Sequence, residues 1–144
     1  MPMHKLLVAI DGSDHARRAL DYALSLAKEN SAVGLHILTV QPEPNVYGEI
    51  QVYITQEHMA QLQRQHSEGL LAPALQAARV AGVAHTSEIV VGDAASMITK
   101  RAEELGCDGI VIGTQGRNAI ASALMGSVAF KVVHLTKLPV TLVK

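Results

Sequence analysis

Residues 6–27, LLVAIDGSDHARRALDYALSLA, decide the fold of this chain. The apolar run from Leu6 to Ile10 stops at the turn Asp11-Gly12-Ser13, which predicts a strand buried on both faces. Small and apolar side chains then recur at helical spacing as far as Ala27, and Ser13 or Asp14 is placed to cap that helix. A buried strand that leads directly into an amphipathic helix is the unit of an α/β fold.

The same order of strand and helix continues along the rest of the sequence. Further apolar runs predict strands at Leu35–Val40, Ser87–Val91, Gly109–Ile112 and Pro139–Val143. Helical spacing predicts helices at Thr55–Ala81, from Gly92-Asp93 to Gly106, and at Val128–Leu135. Gly69 and Pro73 predict a bend in the first of these. Such alternation requires a parallel sheet with helices on both faces, so we predict one doubly wound α/β domain over residues 1–144.

The composition excludes several classes of partner. The 144 residues include no Trp, one Phe and three Tyr, and the formal net charge is −1, so the chain has neither stacking platforms nor a basic field for nucleic acid. The single Cys107 cannot form an internal disulfide, and the apolar run near the N-terminus is too short for a signal peptide or a membrane span. We therefore expect a cytoplasmic protein without a nucleic-acid or membrane partner.

The most informative strand end is the stretch GTQGRNAIASALMGS at residues 113–127. In an open parallel sheet, ligands bind beyond the carboxyl ends of the strands. Glycines let backbone N–H groups approach an anion, and Ser127 falls at the start of a predicted helix, where unpaired donors and the positive dipole end lie. This predicts a phosphate site in which Arg117 is the nearby positive charge. Ordinary turn glycines with a capping serine would give the same pattern, so that interpretation stays open.

The spacing of Gly113, Gly116, Gly126 and Ser127, written G-x2-G-x9-G-S, resembles the ATP-binding signature of the universal stress protein family. The resemblance covers the whole chain, including the opening VAIDGSDHARRAL and the closing LPVTLVK. It implies a five-stranded parallel sheet of order 3-2-1-4-5 with ATP at the strand ends. It also implies a homodimer formed through the last strand, for which we expect contacts at Val140 and Leu142.

The resemblance implies a role for individual residues as well. Asp11 would contact the ribose hydroxyls or a metal-bound water, the backbone of Val40 would meet the adenine edge, and Gly113 would pass beside the ribose. Magnesium, where it accompanies the nucleotide, would be held through water by Asp11 or Ser127. The phosphates would be held by backbone N–H groups and one hydroxyl, at Gly116, Gly126, Ser127 and Val128. Residues 118–125 carry no charge where relatives often have basic side chains, so phosphate binding would depend on those donors and on Arg117.

These observations favour an ATP-binding regulatory protein of the stress response over an enzyme. A slow ATP-hydrolysing enzyme is the first alternative, since phosphoryl transfer needs a metal and a positioned base and the site offers only Asp11 and Ser127 without a dedicated lysine. An interaction protein that binds no nucleotide is the second. The histidines show no i, i+4 pair, so we expect no dedicated metal site, and Cys107 is expected to be structural.

Overall fold

The computed structural model describes residues 4–43, 55–116 and 125–144, and strands and helices alternate through them as predicted. The strands are β1 (Lys5–Ala9), β2 (Gly34–Gln41), β3 (His85–Val91), β4 (Gly109–Gly113) and β5 (Val140–Val143). The helices are α1 (Asp14–Glu29), α2 (Gln56–Ala81), α3 (Ala94–Glu104) and α4 (Ser127–Leu135).

The strands form one five-stranded sheet in the order β3-β2-β1-β4-β5, and every pairing is parallel. The prediction of a doubly wound α/β domain with strand order 3-2-1-4-5 is confirmed. The chain first builds outward from β1 to β3 and then crosses to the other side of β1. The order therefore reverses beside β1, and this is where a doubly wound sheet opens a crevice for a ligand.

Two apolar clusters pack on the two faces of the sheet, because successive side chains of a strand point to opposite sides. Leu6 and Val8 point to the face covered by α1 and α2, whereas Leu7 points to the face covered by α3 and α4. Leu7 and Val8 are fully buried, and burial of one such side chain contributes roughly 1.5–3 kcal/mol. β4 is buried along its whole length, as its unbroken apolar sequence predicts.

The prediction of one long helix over Thr55–Ala81 is confirmed, with Thr55 as its N-cap. α2 is a single helix of 26 residues that continues through both Gly69 and Pro73. Proline removes one backbone donor, but the buried side chains of Leu71 and Ala74 anchor the helix on both sides of that point. Packing against the sheet therefore outweighs the local helix-breaking tendency.

The element boundaries also differ in small ways. Ser13, not Asp14, is the N-cap of α1, and its hydroxyl accepts from the N–H of Ala16 at 3.1 Å. β3 begins at His85 rather than at Ser87, since its pairing with β2 already starts opposite Leu35. The first residues of β3 are polar, so an apolar run does not reveal them.

A partly buried polar network ties β2 and β3 to α3. His36 on β2 is only 5% exposed, and its Nδ1 lies 2.6 Å from Thr86 Oγ1 while its Nε2 lies 3.0 Å from Glu88 Oε1. The Nε of Arg101 on α3 donates to the same carboxylate oxygen at 2.7 Å. Burial raises the pKa of Glu88, but the hydrogen bonds from Arg101 and His36 outweigh it, so the pKa is lower than its ordinary value of 4.5.

We expect Glu88→Gln to destabilise the protein at neutral pH by roughly 1.5–3 kcal/mol, because it weakens two hydrogen bonds to a charged carboxylate. Because the folded-state pKa of Glu88 is lowered, its ionised carboxylate stabilises the fold at pH values above the ordinary pKa. This contribution is lost as the pH falls through the folded-state pKa. The stability difference between wild type and variant should therefore shrink in acid. Urea unfolding between about pH 7 and about pH 3 measures it.

Glu68→Gln is the matched control for this measurement. It breaks the exposed ion pair between Arg64 and Glu68, at 3.3 Å on the surface of α2. Exposed pairs contribute little, so the stability should change by less than about 0.5 kcal/mol. A Glu88→Gln variant that unfolds like this control at every pH would contradict a stabilising role for the network.

Candidate functional site

A cavity of about 390 Å³ lies at the carboxyl ends of the central strands, where the strand order reverses. Its walls come from the ends of β1, β2 and β4 and from the first turns of α3 and α4. The volume falls in the range of roughly 300–1,000 Å³ that is typical of small-molecule sites. The lining is mostly apolar, and its polar groups are concentrated near Asp11 and the glycine-bearing turn after β4.

The structure brings the residues that were singled out in the sequence to this one cavity. Its lining includes Asp11, Val40, Gly113, Gly116, Gly126, Ser127 and Val128. They come from three strand ends and one helix start, so only the folded sheet places them together. Arg117, the predicted phosphate contact, lies outside the described residues. The contacts of each residue with a ligand stay a prediction.

Asp11 stands at the end of β1 with its two carboxylate oxygens in different surroundings. Oδ1 accepts the N–H of Ser13 at 2.9 Å, which closes the turn into α1. Oδ2 points toward Gly116, where a Cβ would lie only 2.7 Å from it. One oxygen therefore shapes the turn, while the absence of a side chain at Gly116 makes room for the other beside the cavity.

Gly113 has a packing role that the motif does not reveal. A Cβ at this position would lie 2.7 Å from both the carbonyl carbon and the Cβ of His15 in the first turn of α1. Real Cβ atoms essentially never approach that closely, so the glycine permits α1 to pack directly on the end of β4. This contact by itself accounts for a glycine here, whether or not a ribose passes beside it.

Gly126 begins α4 without a side chain to cap it. Its N–H donates to the carbonyl oxygen of Thr114 at 2.6 Å, and its own carbonyl accepts from Phe130 at 3.0 Å. The N–H groups of Ser127, Val128 and Ala129 precede that first intrahelical bond, so they have no acceptor within the helix. These residues line the cavity, and the helix thus presents backbone donors and its positive dipole end to it.

Sequence reasoning did not identify the apolar lining of the cavity. Leu38 on β2, Ile98 on α3 and Ala129 on α4 line it, as do Ile112 and Met125. In the sequence these residues look like any other core positions, because the strands and helices that carry them are also packed into the apolar cluster between the sheet, α3 and α4. Thr114 and Gln115 also line the cavity, and only their place within the glycine-bearing turn hints at it.

The carboxylates near the cavity have distinct roles. Asp11 is the one acidic residue among the described residues that line it. Asp93 caps α3, where hydrogen bonds from the hydroxyl and the N–H of Ser96 lower the pKa of its carboxyl group. Within residues 4–43, 55–116 and 125–144, no group of three or more His, Cys, Asp or Glu side chains could hold a metal ion.

Cys107 lies between α3 and β4 and is 5% exposed. Burial raises the pKa of its thiol, which disfavours the reactive thiolate form. The side chain belongs to the apolar cluster under α3 and α4, as expected of a packing residue. None of the helices that the structure describes combines the length and apolar character needed to cross a membrane.

The chain is a doubly wound α/β domain in which a glycine-bearing turn and a helix N-terminus face a cavity at the strand ends. The model of the Universal stress protein family matches residues 2–144, and the chain belongs to this family.

Individual relatives agree with this assignment. The universal stress protein YxiE of Bacillus subtilis is 36% identical over 147 aligned residues, which cover 98% of this chain and 99% of the relative. Among solved structures, the hypothetical protein MJ0577 superposes with a TM-score of 0.88 at 26% identity, covering 100% of this chain and 97% of its own. A universal stress protein solved in complex with cAMP superposes with a TM-score of 0.69 at 28% identity, covering 99% of this chain and 98% of its own.

The contrast between two glycines tests the packing role of Gly113. Gly113→Ala should destabilise the protein by about 1–3 kcal/mol, because the new methyl group would push α1 away from β4. Gly69→Ala is the control, since no heavy atom lies within 4 Å of a Cβ there and alanine suits a helix interior. It should stabilise the protein by about 0.5–1 kcal/mol. Equal unfolding midpoints in urea for both variants would contradict the close contact.

Proposed function

We propose that this chain is an adenine-nucleotide-binding regulatory protein of the stress response and that ATP is its ligand. The observation that carries the proposal is the cavity at the strand ends, where the N–H groups of Ser127, Val128 and Ala129, which have no acceptor within α4, face a mostly apolar lining. Such a helix start is suited to a phosphate, and the apolar lining is suited to a base. The lone cysteine favours a reducing compartment, so we propose the cytoplasm as the location.

The order of the strands suggests how the ligand lies. β2, β1 and β4 are neighbours in the sheet, and each contributes its carboxyl end to the cavity. Val40 at the end of β2 lies on the side of α3, Asp11 follows β1 in the middle, and Gly116 follows β4 beside the start of α4. A nucleotide with its base near Val40, its ribose near Asp11 and its phosphates at α4 would follow this order.

Binding by relatives supports the ligand class. A universal stress protein that is 28% identical over 99% of this chain was solved in complex with cAMP, an adenine nucleotide. The glycine and serine positions of the G-x2-G-x9-G-S pattern are intact here. The described lining supplies backbone donors and the Ser127 hydroxyl at the proposed phosphate end.

Magnesium fits the site as a companion of the nucleotide. Mg²⁺ is usually bound by one or two carboxylates together with substrate phosphates and waters. Asp11 supplies one carboxylate, of which Oδ1 is engaged by Ser13, and the Ser127 hydroxyl lies in the same lining. When bound, the ion would offset the charge of the phosphates, and these side chains would hold its waters.

Ser127→Asp tests the phosphate end of the site without weakening the fold. An acidic residue in the first turn of a helix stabilises it by about 0.3–1 kcal/mol, whereas the added charge repels a phosphate. Wild type should be stabilised by MgATP, by about 2.7 kcal/mol at a concentration of 100 times Kd. The variant should be at least as stable without ligand and should show little stabilisation by MgATP. Thermal unfolding and calorimetric titration measure both effects.

Gln56→Asp provides the matched control, because Gln56 occupies the same first position in α2, away from the cavity. It should retain the full response to MgATP. Adenosine, which lacks phosphate, should bind wild type and Ser127→Asp equally. The proposal fails when wild type shows no stabilisation by millimolar ATP and no nucleotide copurifies with it, an outcome that favours an interaction protein.

The second part of the proposal is a homodimer formed through β5. Among the residues described, no strand pairs with the outer edge of β5. The carbonyls of Pro139 and Val143 accept from Ile110 of β4 at 3.0 Å and from Thr114, directly after β4, at 2.9 Å, and the backbone groups of alternate residues point the other way. The N–H and C=O groups of Val140 and Leu142 therefore point to the open edge, which a second copy can pair. Their side chains are half buried against the cluster under α3 and α4.

Leu142→Pro should convert the dimer into a monomer. Proline removes an N–H that points to the open edge, and edge strands tolerate proline at such positions. Leu142→Ala is the matched control, since it removes the same side-chain packing but keeps the N–H, and it should remain dimeric. Light scattering at micromolar concentration separates the two. A monomeric wild type, or a dimeric Leu142→Pro variant, would contradict pairing through this edge.

A further inference from the structure

Thr114 joins the cavity to the first turn of α1. It is 7% exposed, it lines the cavity, and its Oγ1 lies 3.1 Å from Nδ1 of His15. His15 is not part of the described lining. The hydroxyl of Thr114 therefore stands between the ligand space and an imidazole ring.

Two backbone bonds hold Thr114 at the phosphate end of the cavity. Its carbonyl oxygen accepts from Gly126 at 2.6 Å, directly before α4 begins. Its N–H donates to the carbonyl of Val143 at 2.9 Å, which attaches it to β5. The side chain of Thr114 thus lies beside the helix start whose unpaired N–H groups face the cavity.

The hydroxyl of Thr114 has one proton, and whether Nδ1 of His15 is protonated decides the direction in which that proton points. When Nδ1 carries no proton, a hydrogen bond across this contact must run from the hydroxyl to the ring, which leaves only lone pairs for the cavity. When Nδ1 is protonated, it donates to Oγ1 and frees the hydroxyl proton for an acceptor in the cavity. An anionic ligand therefore favours a protonated Nδ1.

We propose that the Thr114 hydroxyl is an additional anion donor of this site and that His15 is the positioning residue that directs its proton. This inference rests on the proposed function, because it needs a phosphate at α4. Full protonation of the ring fixes a proton on Nδ1, and histidine titrates near neutral pH. Affinity for the anion should rise as the pH falls and His15 becomes protonated, and by linkage a bound anion should favour the protonated ring.

The charged groups around this turn come from several elements. On α1 itself, Asp14 precedes His15, and Arg18 lies one turn further on, with its Nε donating to the carbonyl of Lys144 at 2.6 Å. The loop after β1 contributes Asp11. β4 and β5 carry no charged side chain, and α2 faces the start of α1 with uncharged residues, namely Gly69, Leu70, Pro73 and Ala74.

The test is the pH dependence of cAMP binding. The phosphodiester of cAMP keeps its single charge in the range where a phosphate monoester, with a second pKa near 6, would itself titrate. Kd is measured by calorimetry between about pH 5 and about pH 8. Wild type should bind cAMP roughly five- to tenfold more tightly at the acid end, a coupling of ordinary size. Adenosine, which has no charge, should show no such change.

Three variants isolate the contact. Thr114→Val should bind cAMP more weakly at acid pH and lose the pH dependence, while Thr114→Ser should recover it. His15→Asn places an amide near Nδ1, so it should bind cAMP as tightly at the alkaline end as wild type does at the acid end. Thermal unfolding without ligand establishes that each variant folds. If the protein does not bind cAMP, the same comparison is made with ATP. Protonation of the ATP phosphates affects wild type and all variants equally, so it cancels in the comparison.

The outcomes separate this inference from the proposed function. If wild type binds neither cAMP nor ATP at any pH, the proposed function fails. If wild type binds them and Thr114→Val and His15→Asn keep the wild-type pH profile, the nucleotide site stands and the role of Thr114 and His15 is overturned. A purely structural contact would change the stability of the variants without changing the slope of affinity against pH.

Discussion

The close approach of α1 to the end of β4 is the contact on which the rest of the structure depends. It is possible because Gly113 has no side chain, so that the backbone of His15 can lie where a Cβ would otherwise stand. This approach brings the turn after β1 next to the turn after β4, and it places Asp11 beside Gly116. The cavity is the space that remains between those two turns and the first turns of α3 and α4.

The two halves of the sheet are held in different ways. On the side of β4 and β5, backbone bonds and apolar packing dominate, as the pairing of Thr114 with Val143 and Gly126 illustrates. On the side of β2 and β3, a chain of polar contacts from Thr86 through His36 and Glu88 to Arg101 takes part of that role. The edge strand β3 is only partly buried. Polar contacts therefore help to hold it in place where apolar packing is incomplete.

The alternation of strands and helices was predicted from simple residue patterns, whereas the strand order 3-2-1-4-5 was implied by the family resemblance. Unbroken apolar runs such as Gly109–Ile112 mark strands that are buried on both faces, and glycines mark the turns between them. The continuity of α2 across Pro73 was predicted from its helical spacing, and the buried side chains of Leu71 and Ala74 on either side of Pro73 account for it. The polar start of β3 was missed because its pairing with β2, not an apolar pattern, defines it.

The residues near the cavity also divide into those that the sequence revealed and those that it did not. Asp11, Gly116 and Ser127 were found from the turn pattern and the family resemblance, because polar residues and glycines at strand ends are conspicuous. Leu38 and Ile98 were not, because a residue that lines a cavity and a residue that fills a core have the same chemistry. His15 was missed since its approach to Thr114 joins positions 99 residues apart in the chain.

The start of α4 has a consequence for how this protein tolerates sequence change. The donors that it presents to the cavity belong to the main chain, and every residue type except proline carries the same N–H group. Alanine scanning of this turn would therefore leave its hydrogen-bonding capacity almost intact. Uncharged side chains along this turn can therefore be exchanged without loss of these donors, whereas a proline or a change in backbone path would remove them.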